Sequence, residues 1–305
     1  MNLQILLNGK DISNELKLTD GILYDRLGGS MDNLKLLFPY DNGVAFNKFD
    51  ELQIIADKYD TGVMCIMGCG GVSNNKYCHI TAVSGKPTNR AKRSKIFANV
   101  TLYQIINTVA TACNLGVKIY DIENFSYKSL CQTNETDLQF LNRICMREGY
   151  SVKVDNGNLV VFNDFSLETN YESITLKKAD TSSSSFARSE NGLKNVTVRY
   201  FDTDTKRLIA YTATDGDMDG GSETIIEKVT STDEAERFAK GYLRQHNKMA
   251  LTGNISMSFN TDISAGTTLE LEGFNEYDCK YIVYEVRHDI SNGITHLKIR
   301  KTLTY

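Results

Sequence analysis

The chain has 305 residues, of which 41% are hydrophobic and 24% are charged, and its formal net charge is −4. This length exceeds what one compact core usually serves, so two or three domains are expected. The composition is that of a soluble globular protein, and the slightly acidic balance gives no global attraction to nucleic acid. The apolar runs fall far short of the roughly 20 residues of a membrane helix, so no membrane insertion is expected.

Seven cysteines are scattered along the chain. An odd number of cysteines in a large protein favours reduced thiols over a disulfide framework. The N-terminus shows neither a basic leader nor a small-residue cleavage site, which predicts synthesis and folding in the cytosol. Cys113 and Cys145 fall on the apolar stripes of predicted helices and are expected to be small core residues.

Short strand-like segments with polar turns dominate the first hundred residues. The first segment alternates from Leu3 and turns at Asn8-Gly9, a typical hairpin dipeptide. Further strand candidates are NLKLLFPYD, DELQIIADKYD, GVMCIMGCGG and NKYCHITAVSGK. This pattern favours a β-barrel or a sandwich. The polar, basic stretch from Lys86 to Lys95 is interpreted as a connector.

Two helices and a hairpin follow as a compact α+β unit. The helices are predicted from Thr101 to Gly116 and from Thr136 to Gly149, each with a glutamine three residues after the threonine, as in a capping box. Apolar residues recur at helical spacing in both, and the glycines are expected to end them. Two alternating strands then surround residues 155–158, which contain Asn-Gly.

Strand-like segments resume after a serine run that begins at Thr181 and is interpreted as a flexible junction. A third helix is predicted to start near Ser231, because Glu234 follows at the spacing that supports an N-cap. The final segments, up to residue 303, all alternate like strands. The chain is therefore expected to be mainly β, with an α+β insert between two β-rich halves.

A zinc site is one hypothesis for Cys65, Cys69, Cys78 and His79. The spacing is not that of a standard zinc pair. Neighbours 78 and 79 would point to opposite faces of a strand, so both could not easily reach one ion. Buried or loop thiols are the favoured interpretation.

An acidic stretch, DGDMDGGSETIIE, begins at Asp215 and resembles a calcium-binding loop. Its twelfth position should be glutamate but is Ile226, and Glu227 comes one place late. An acidic hairpin tip is the favoured interpretation. Asp217 and Asp219 are the acids on which a hydrolase hypothesis would depend.

Basic residues and histidines give no clear site either. A nucleic-acid patch is possible for Lys86, Arg90, Lys92, Arg93 and Lys95, but few aromatic residues are interleaved and a solvated linker is favoured. The histidines are His79, His246, His288 and His296, of which the last two are expected on paired strands, facing each other or solvent. Glu270 and Glu272 alternate on a strand and are interpreted as surface charges. No common catalytic motif occurs, so no catalytic, cofactor or metal residue is predicted.

The order of these segments resembles that of a known family. FANVTLYQIINTVATACNLGV and QTNETDLQFLNRICMREGYSVKVDNGNLVVF look like the centre of the phage late control D family, the baseplate hub proteins of contractile tails. They are also similar to the N-terminal part of the type VI secretion spike protein. The residues that carry the resemblance are Thr133, Glu135, Asp137, Leu138, Phe140, Leu141, Gly149 and Tyr150. STDEAERFAKGYLRQ and the last strands, with Gly266 and His288, resemble the end of the same family.

This resemblance implies two tube-like β-barrel domains, residues 1–96 and 187–305, that flank an insert at residues 97–186. It also implies a homotrimeric ring of pseudo-sixfold symmetry that joins a hexameric tail tube to a central spike and contacts baseplate wedge proteins. The protein would be made in the bacterial cytoplasm and assembled into a phage or a tail-like bacteriocin, with DNA passing through the lumen in a true phage. Since the chain stops after the last barrel strand, a piercing tip or hydrolase is expected on a separate chain.

Two alternatives remain beside this structural role. One is a tail-associated peptidoglycan hydrolase that uses the acidic loop. The other is a β module that binds a small ligand or a carbohydrate.

Overall fold

The computed structural model describes residues 3–29, 31–39, 43–57, 59–72, 76–85 and 91–305. These residues form a mainly β fold with an α+β insert, which confirms the fold class expected from the sequence. The helices of the described part are α1 (Leu102–Cys113), α2 (Asp137–Arg147), α3 (Asp164–Thr169) and α4 (Thr232–Asn247).

The strands fall into three groups along the chain. The first is β1 (Leu3–Leu7), β2 (Lys10–Asp11), β3 (Asp20–Arg26), β4 (Asn33–Pro39), β5 (Glu51–Ala56), β6 (Tyr59–Asp60), β7 (Met64–Val72) and β8 (Tyr77–Val83). The second is β9 (Arg93–Thr101), β10 (Gly116–Tyr120), β11 (Ser126–Glu135), β12 (Tyr150–Asp155) and β13 (Asn158–Asn163). The third is β14 (Ile174–Lys177), β15 (Thr181–Arg188), β16 (Leu193–Asp202), β17 (Arg207–Thr214), β18 (Gly221–Ile226), β19 (Leu251–Ser258), β20 (Thr268–Glu272), β21 (Lys280–Asp289) and β22 (Ile294–Lys301).

One large sheet joins the two ends of the chain. Its order is β15-β19-β22-β21-β3-β4-β8-β7-β5-β1-β2, with β14, β20 and β6 attached at the side. The seam is the antiparallel pair β3–β21, in which Arg26 lies opposite Glu285 and Ile22 opposite Asp289. Alternate residues of β3 and β4 are buried, so one face packs on an apolar core. The N- and C-terminal β segments therefore share one continuous sheet.

The insert has its own sheet and core. Its strand order is β10-β13-β12, and α1 and α2 cover one face together with the two-stranded ribbon β9–β11. Cys113 and Cys145 lie in this core, as predicted. The predicted hairpin is present, because β12 and β13 pair around Asn156 and Gly157, which adopt φ of 42° and 71°. These left-handed residues form the two-residue turn that matches the twist of antiparallel strands.

The predicted starts of the helices are confirmed. Thr101 with Gln104, and Thr136 with Gln139, form complete capping boxes. The predicted end of α1 is wrong, because Asn114, not Gly116, takes the left-handed conformation after the last turn. Asparagine tolerates this conformation and can end a helix in place of glycine.

The predicted third helix is α4, where the hydroxyl of Ser231 accepts a hydrogen bond from the Glu234 amide. It packs on one face of a second small sheet of order β17-β16-β18. The sequence analysis missed the six-residue α3, whose first amides are capped by Asn163. A helix this short carries too few apolar positions to show a period.

Two further interpretations are wrong. The serine run is not a flexible junction, since residues 181–188 form β15, paired with β19. The acidic stretch is not a hairpin tip, because β17 and β18 each pair with β16 and not with each other. Strands β14 and β15 pair with the C-terminal β20 and β19, and the predicted domain boundaries stay a prediction.

Candidate functional site

Buried ion pairs connect the insert to the two β-rich parts of the chain. The first lies at the end of α2, where the Arg147 guanidinium binds the carboxylate of Glu227 and the Tyr242 hydroxyl donates to the same carboxylate. The Arg147 side chain is 10% exposed and its guanidinium carbon lies 3.9 Å from the ring centroid of Phe238. Arg147 at the end of α2 is thus held against the Phe238 ring of α4 and the Glu227 carboxylate, and these contacts fix α2 on α4.

The second ion pair lies one residue further along. The buried Glu148 accepts hydrogen bonds from Arg237 Nε at 2.9 Å and from the Tyr127 hydroxyl at 2.7 Å. Burial raises the pKa of Glu148, and the Arg237 charge opposes this shift. Arg237 in turn lies 3.7 Å above the Phe125 ring. This cluster ties α4 to the ribbon and helix of the insert.

The third cluster surrounds Glu168 of α3, whose side chain is fully buried. Arg244 of α4 approaches it with two contacts of 3.1 Å, and Arg300 of β22 lies at 2.6 Å. The backbone amide of Leu303 also donates to it at 2.7 Å. One carboxylate thus joins three separate segments, and removing it would leave two guanidinium groups buried without their counter-ion.

The fourth cluster joins all three parts of the chain. Lys153 of β12 contacts Asp25 of β3 at 2.6 Å and Asp32 at 3.1 Å, and the amide of Ala265 donates to Asp25 at 2.8 Å. Burial raises the pKa of the Asp32 carboxyl to about 6, against the opposing effect of Lys153. Burial alone would lower the pKa of Lys153, but the carboxylates of Asp25 and Asp32 raise it above its ordinary value. Lys153 therefore stays charged beside two acids.

The large sheet has two strand edges without a second neighbouring strand among the described residues, one along β15 and one along the later part of β7. Among the described residues β15 pairs only with β19, and Ser182 to Ser185 are exposed. At the other end, β5 pairs with β7 only at Met64 and Cys65, so the part of β7 from Gly68 onward pairs with β8 alone within the described chain. Exposed edges of this kind present free backbone donors and acceptors to another strand.

The residues of the disfavoured zinc hypothesis lie on the neighbouring strands β7 and β8. In the described part of the chain no three cysteine, histidine or acidic side chains form a group that could hold a metal ion. Cys65 is buried, Cys69 is exposed and Cys78 is half-buried. His79 lies opposite Gly70 in the β7–β8 pair.

The acidic loop is held by its surroundings. Asp215 is buried and accepts hydrogen bonds from Asn247 at 2.8 Å and from the Tyr305 hydroxyl at 2.7 Å. Asp217 is exposed and pairs with Lys301 at 3.1 Å. Asp219 is also exposed. These contacts give Asp215 a structural role in fastening the C-terminal segment to α4.

The basic stretch that was interpreted as a solvated linker lies partly within the described residues. Residues 86–90, with Lys86 and Arg90, lie outside the described residues. Arg93 and Lys95 belong to β9, where Arg93 lies 3.8 Å from Asp137 and Lys95 stacks on the ring of Phe97. Lys92 is exposed. The predicted connector is therefore wrong over residues 93–95, which belong to strand β9.

The prediction for His288 and His296 is correct in part. Both lie on the paired strands β21 and β22, but His288 lies opposite Thr295 and is buried, so it faces neither His296 nor solvent. Its Nδ1 contacts the Thr295 hydroxyl at 3.0 Å, and burial lowers the pKa of His288 to about 4. His246 is exposed and lies 3.2 Å from Glu223. Glu270 and Glu272 are exposed, as predicted.

Sequence reasoning missed the residues of the ion clusters. Lys153 stands in an ordinary alternating strand, and Glu168 in a helix that shows no period. The one available signal was Gly241 in the middle of α4, since glycine inside a helix disfavours it and often marks a close contact. In the described residues the clusters hold segments together, since every acid in them contacts a cation from another segment.

Comparisons with known proteins agree with this architecture. Residues 86–294 match the family model described as phage tail baseplate hub. No curated protein matches the chain by sequence. The fold is similar to the 43 kDa tail protein of prophage MuSo2 from Shewanella oneidensis, with a TM-score of 0.77, 14% identity and 99% of both chains covered.

Two other solved structures share the fold. The tail protein from Neisseria meningitidis MC58 has a TM-score of 0.79 and 13% identity over 98% of this chain and 96% of that one. The c3393 protein of Escherichia coli, a component of the type VI secretion system, has a TM-score of 0.67 and 10% identity, over 98% and 77%. Within the described residues, no helix has the length and apolar character needed to span a membrane. The family match covers more than half of the sequence, and the chain belongs to the phage tail baseplate hub family.

Proposed function

We propose that the protein is the structural hub of a contractile phage tail or a tail-like injection particle. In this role three copies form a pseudo-sixfold ring that joins the hexameric tail tube to the trimeric central spike, with wedge proteins around it. The protein is made in the bacterial cytoplasm and assembled into the baseplate, and in a true phage DNA passes through the lumen. It acts by holding shape, without catalysis.

The observation that supports this most strongly is the pair of free edges at β15 and β7. Both strands belong to the order β15-β19-β22-β21-β3-β4-β8-β7, which contains strands from both halves of the chain and continues from the start of β7 to β5, β1 and β2. The edges are different surfaces, so pairing β15 of one copy with β7 of the next is a head-to-tail contact. Such a contact repeats around an axis and produces a closed ring when the rotation closes.

The ion clusters support the same role. A ring that carries mechanical load needs its insert and β segments to move as one body. Four buried clusters connect these segments through salt bridges that water does not screen well. In contrast, the acids of the hydrolase hypothesis, Asp217 and Asp219, are both exposed, and Asp217 is paired with Lys301.

The first test is the mass of the purified protein by light scattering, with negative-stain images of the same sample, alone and with the neighbouring tube and spike proteins. Three copies around a central hole are expected. A protein that stays monomeric with both partners present, and never enters tail-like particles, contradicts the proposal.

A proline in β15 tests the edge itself. Ser189 N donates to Ala250 O, and antiparallel pairing alternates, so the Ser184 amide points away from β19. Ser184→Pro removes this outward donor, keeps the hydrogen bonds to β19, and is expected to abolish the ring while the monomer stays folded. Ser184→Ala, which keeps the amide, is the matched control.

A further inference from the structure

A cleft of about 460 Å³ lies where the insert meets both β-rich parts of the chain. Its walls come from β10, β12 and β13 of the insert, from the segment around α3, and from residues 264–268, which lead into β20. This volume is within the range of sites that take small ligands or single anchoring side chains, roughly 300–1,000 Å³. Of the four ion clusters, the fourth reaches this cleft through Lys153.

One wall is the second face of the insert sheet. Residues that alternate with the buried core positions point to this side, and Tyr120, Val160, Phe162 and Lys153 line the cleft. The opposite face is covered by α1 and α2. The second face is therefore mixed, with Val160 and Phe162 beside the cation Lys153 and the exposed Tyr120. Its apolar residues can pack against the stem of a bound side chain.

Two tyrosine–acid pairs stand in the cleft. Tyr120 is followed by Asp121, and Tyr171 by Glu172, and all four residues line it. The tyrosines are 48% and 51% exposed, which is high for large aromatic residues. The lining thus offers both aromatic rings and carboxylates, and a guanidinium group stacks on the former and donates two parallel hydrogen bonds to the latter.

The charges beneath the cleft favour a cation as well. Within the described part of the chain Lys153 is the one cation that lines the cleft, and it already lies between Asp25 and Asp32. Two carboxylates against one ammonium leave this cluster with excess negative charge. Asp121 and Glu172 at the rim, both exposed, add to it. An incoming positive charge therefore meets a complementary field.

We propose that this cleft binds an arginine side chain carried by an extended segment of a partner protein. The guanidinium stacks on Tyr120 or Tyr171 and is bound by Asp121 or Glu172. The aliphatic stem and a neighbouring apolar residue pack on Leu27, Leu167, Phe162 and Ile174, which also line the cleft. The site sits between insert and sheet, so its occupant anchors a neighbouring protein at the junction of the three parts.

Calorimetric titration of the full chain with an acetylated, amidated Leu-Arg-Leu peptide tests the proposal. The same peptide with citrulline in place of arginine keeps the shape and removes the charge. The arginine peptide is expected to bind about tenfold more tightly, a difference of about 1.4 kcal/mol, because citrulline lacks the positive charge. The affinity of the arginine peptide should fall as the salt concentration rises.

Variants locate the binding. Tyr120→Ala with Tyr171→Ala, and Asp121→Asn with Glu172→Gln, are each expected to weaken arginine-peptide binding about tenfold. Phe201→Ala and Glu190→Gln are matched controls, because both residues are exposed and lie outside the cleft. The double variant Asp121→Asn with Glu172→Gln changes the side-chain volumes less. If the double tyrosine variant unfolds, the binding measurement on the acid variant decides the test.

Three results overturn the proposal. They are no binding of the arginine peptide, equal binding of the citrulline peptide, or binding that the cleft variants leave unchanged. If the arginine peptide does not bind and an N-acetylglucosamine oligosaccharide does, the cleft is assigned to carbohydrate instead. Ring formation is read separately by light scattering, so failure of this inference is distinguishable from failure of the hub proposal.

Discussion

Gly241 of α4 lies directly against the backbone carbonyl of Arg147, the last residue of α2. A β-carbon at position 241 would overlap this carbonyl, so only glycine allows the two helices to approach this closely. The same contact brings Arg147 within reach of Glu227 and Glu148 within reach of Arg237. The missing side chain therefore sets the distance at which the insert docks.

Replacing Gly241 with alanine tests this contact. In an isolated helix the change would stabilise by about 1 kcal/mol, but here the overlap with a backbone carbonyl is expected to cost about 1–3 kcal/mol of unfolding free energy. Urea unfolding gives the value. Gly216→Ala is the control, because nothing lies within 4 Å of a β-carbon there. A stabilised Gly241→Ala protein would contradict the close contact.

The carboxylate of Glu168 should be among the most sensitive single groups. Glu168→Gln leaves the buried Arg244 and Arg300 without their counter-ion, which is expected to cost about 3–5 kcal/mol. Glu236→Gln, in an exposed pair with Lys240, should cost well under 1 kcal/mol by the same measurement. Similar losses for both variants would show that the buried cluster contributes no more than a surface pair.

Two buried groups should make stability depend on pH in opposite directions. Asp32 has a folded pKa of about 6, above its ordinary value, so its contribution is present at low pH and is lost as pH rises through 6. His288 has a folded pKa of about 4, below its ordinary value, so acidification favours the unfolded chain, which takes up the proton. Asp25 and Lys153 face Asp32, and Asp25 also raises the pKa of His288.

Variants separate these opposite effects. Between pH 7 and pH 5, Asp32→Asn should lose stability relative to the wild type by roughly 1 kcal/mol, because only the histidine effect remains. His288→Phe, which keeps the ring packing beside Tyr59 and Phe259, should gain stability relative to the wild type over the same range. Unfolding free energies at the two pH values check both signs, and equal slopes in all three proteins would refute the assignment.

The N-cap of α2 should contribute a smaller, local amount. Thr136→Ala removes the hydroxyl that accepts from the Gln139 amide, at an expected cost of about 1 kcal/mol. Thr133→Ala, an exposed change on β11, is the control and should be near neutral. Thermal unfolding of both variants gives the comparison, and equal melting temperatures would exclude a stabilising role for this cap.

Features that depend on neighbouring residues could be predicted from the sequence. The capping boxes at Thr101 and Thr136, the turn at Asn156-Gly157 and the start of α4 at Ser231 were all predicted. Each depends on one hydrogen bond or one backbone conformation within four residues. The prediction of a flexible junction for the serine run was wrong because it used neighbouring residues alone. The β conformation of this segment comes from pairing with β19, more than sixty residues away.

By itself the sequence determined the mainly β class, the apolar stripes of the longer helices, their capped starts and the resemblance to the hub family. These follow from side-chain period and local hydrogen bonds. Only the tertiary structure decided that β3 pairs with β21, that Lys153 lies between Asp25 and Asp32, and that Glu168 binds Arg244 and Arg300. Such partners are distant in the chain, and no local pattern states which buried charge will meet which, because that choice is made by the packing of whole segments.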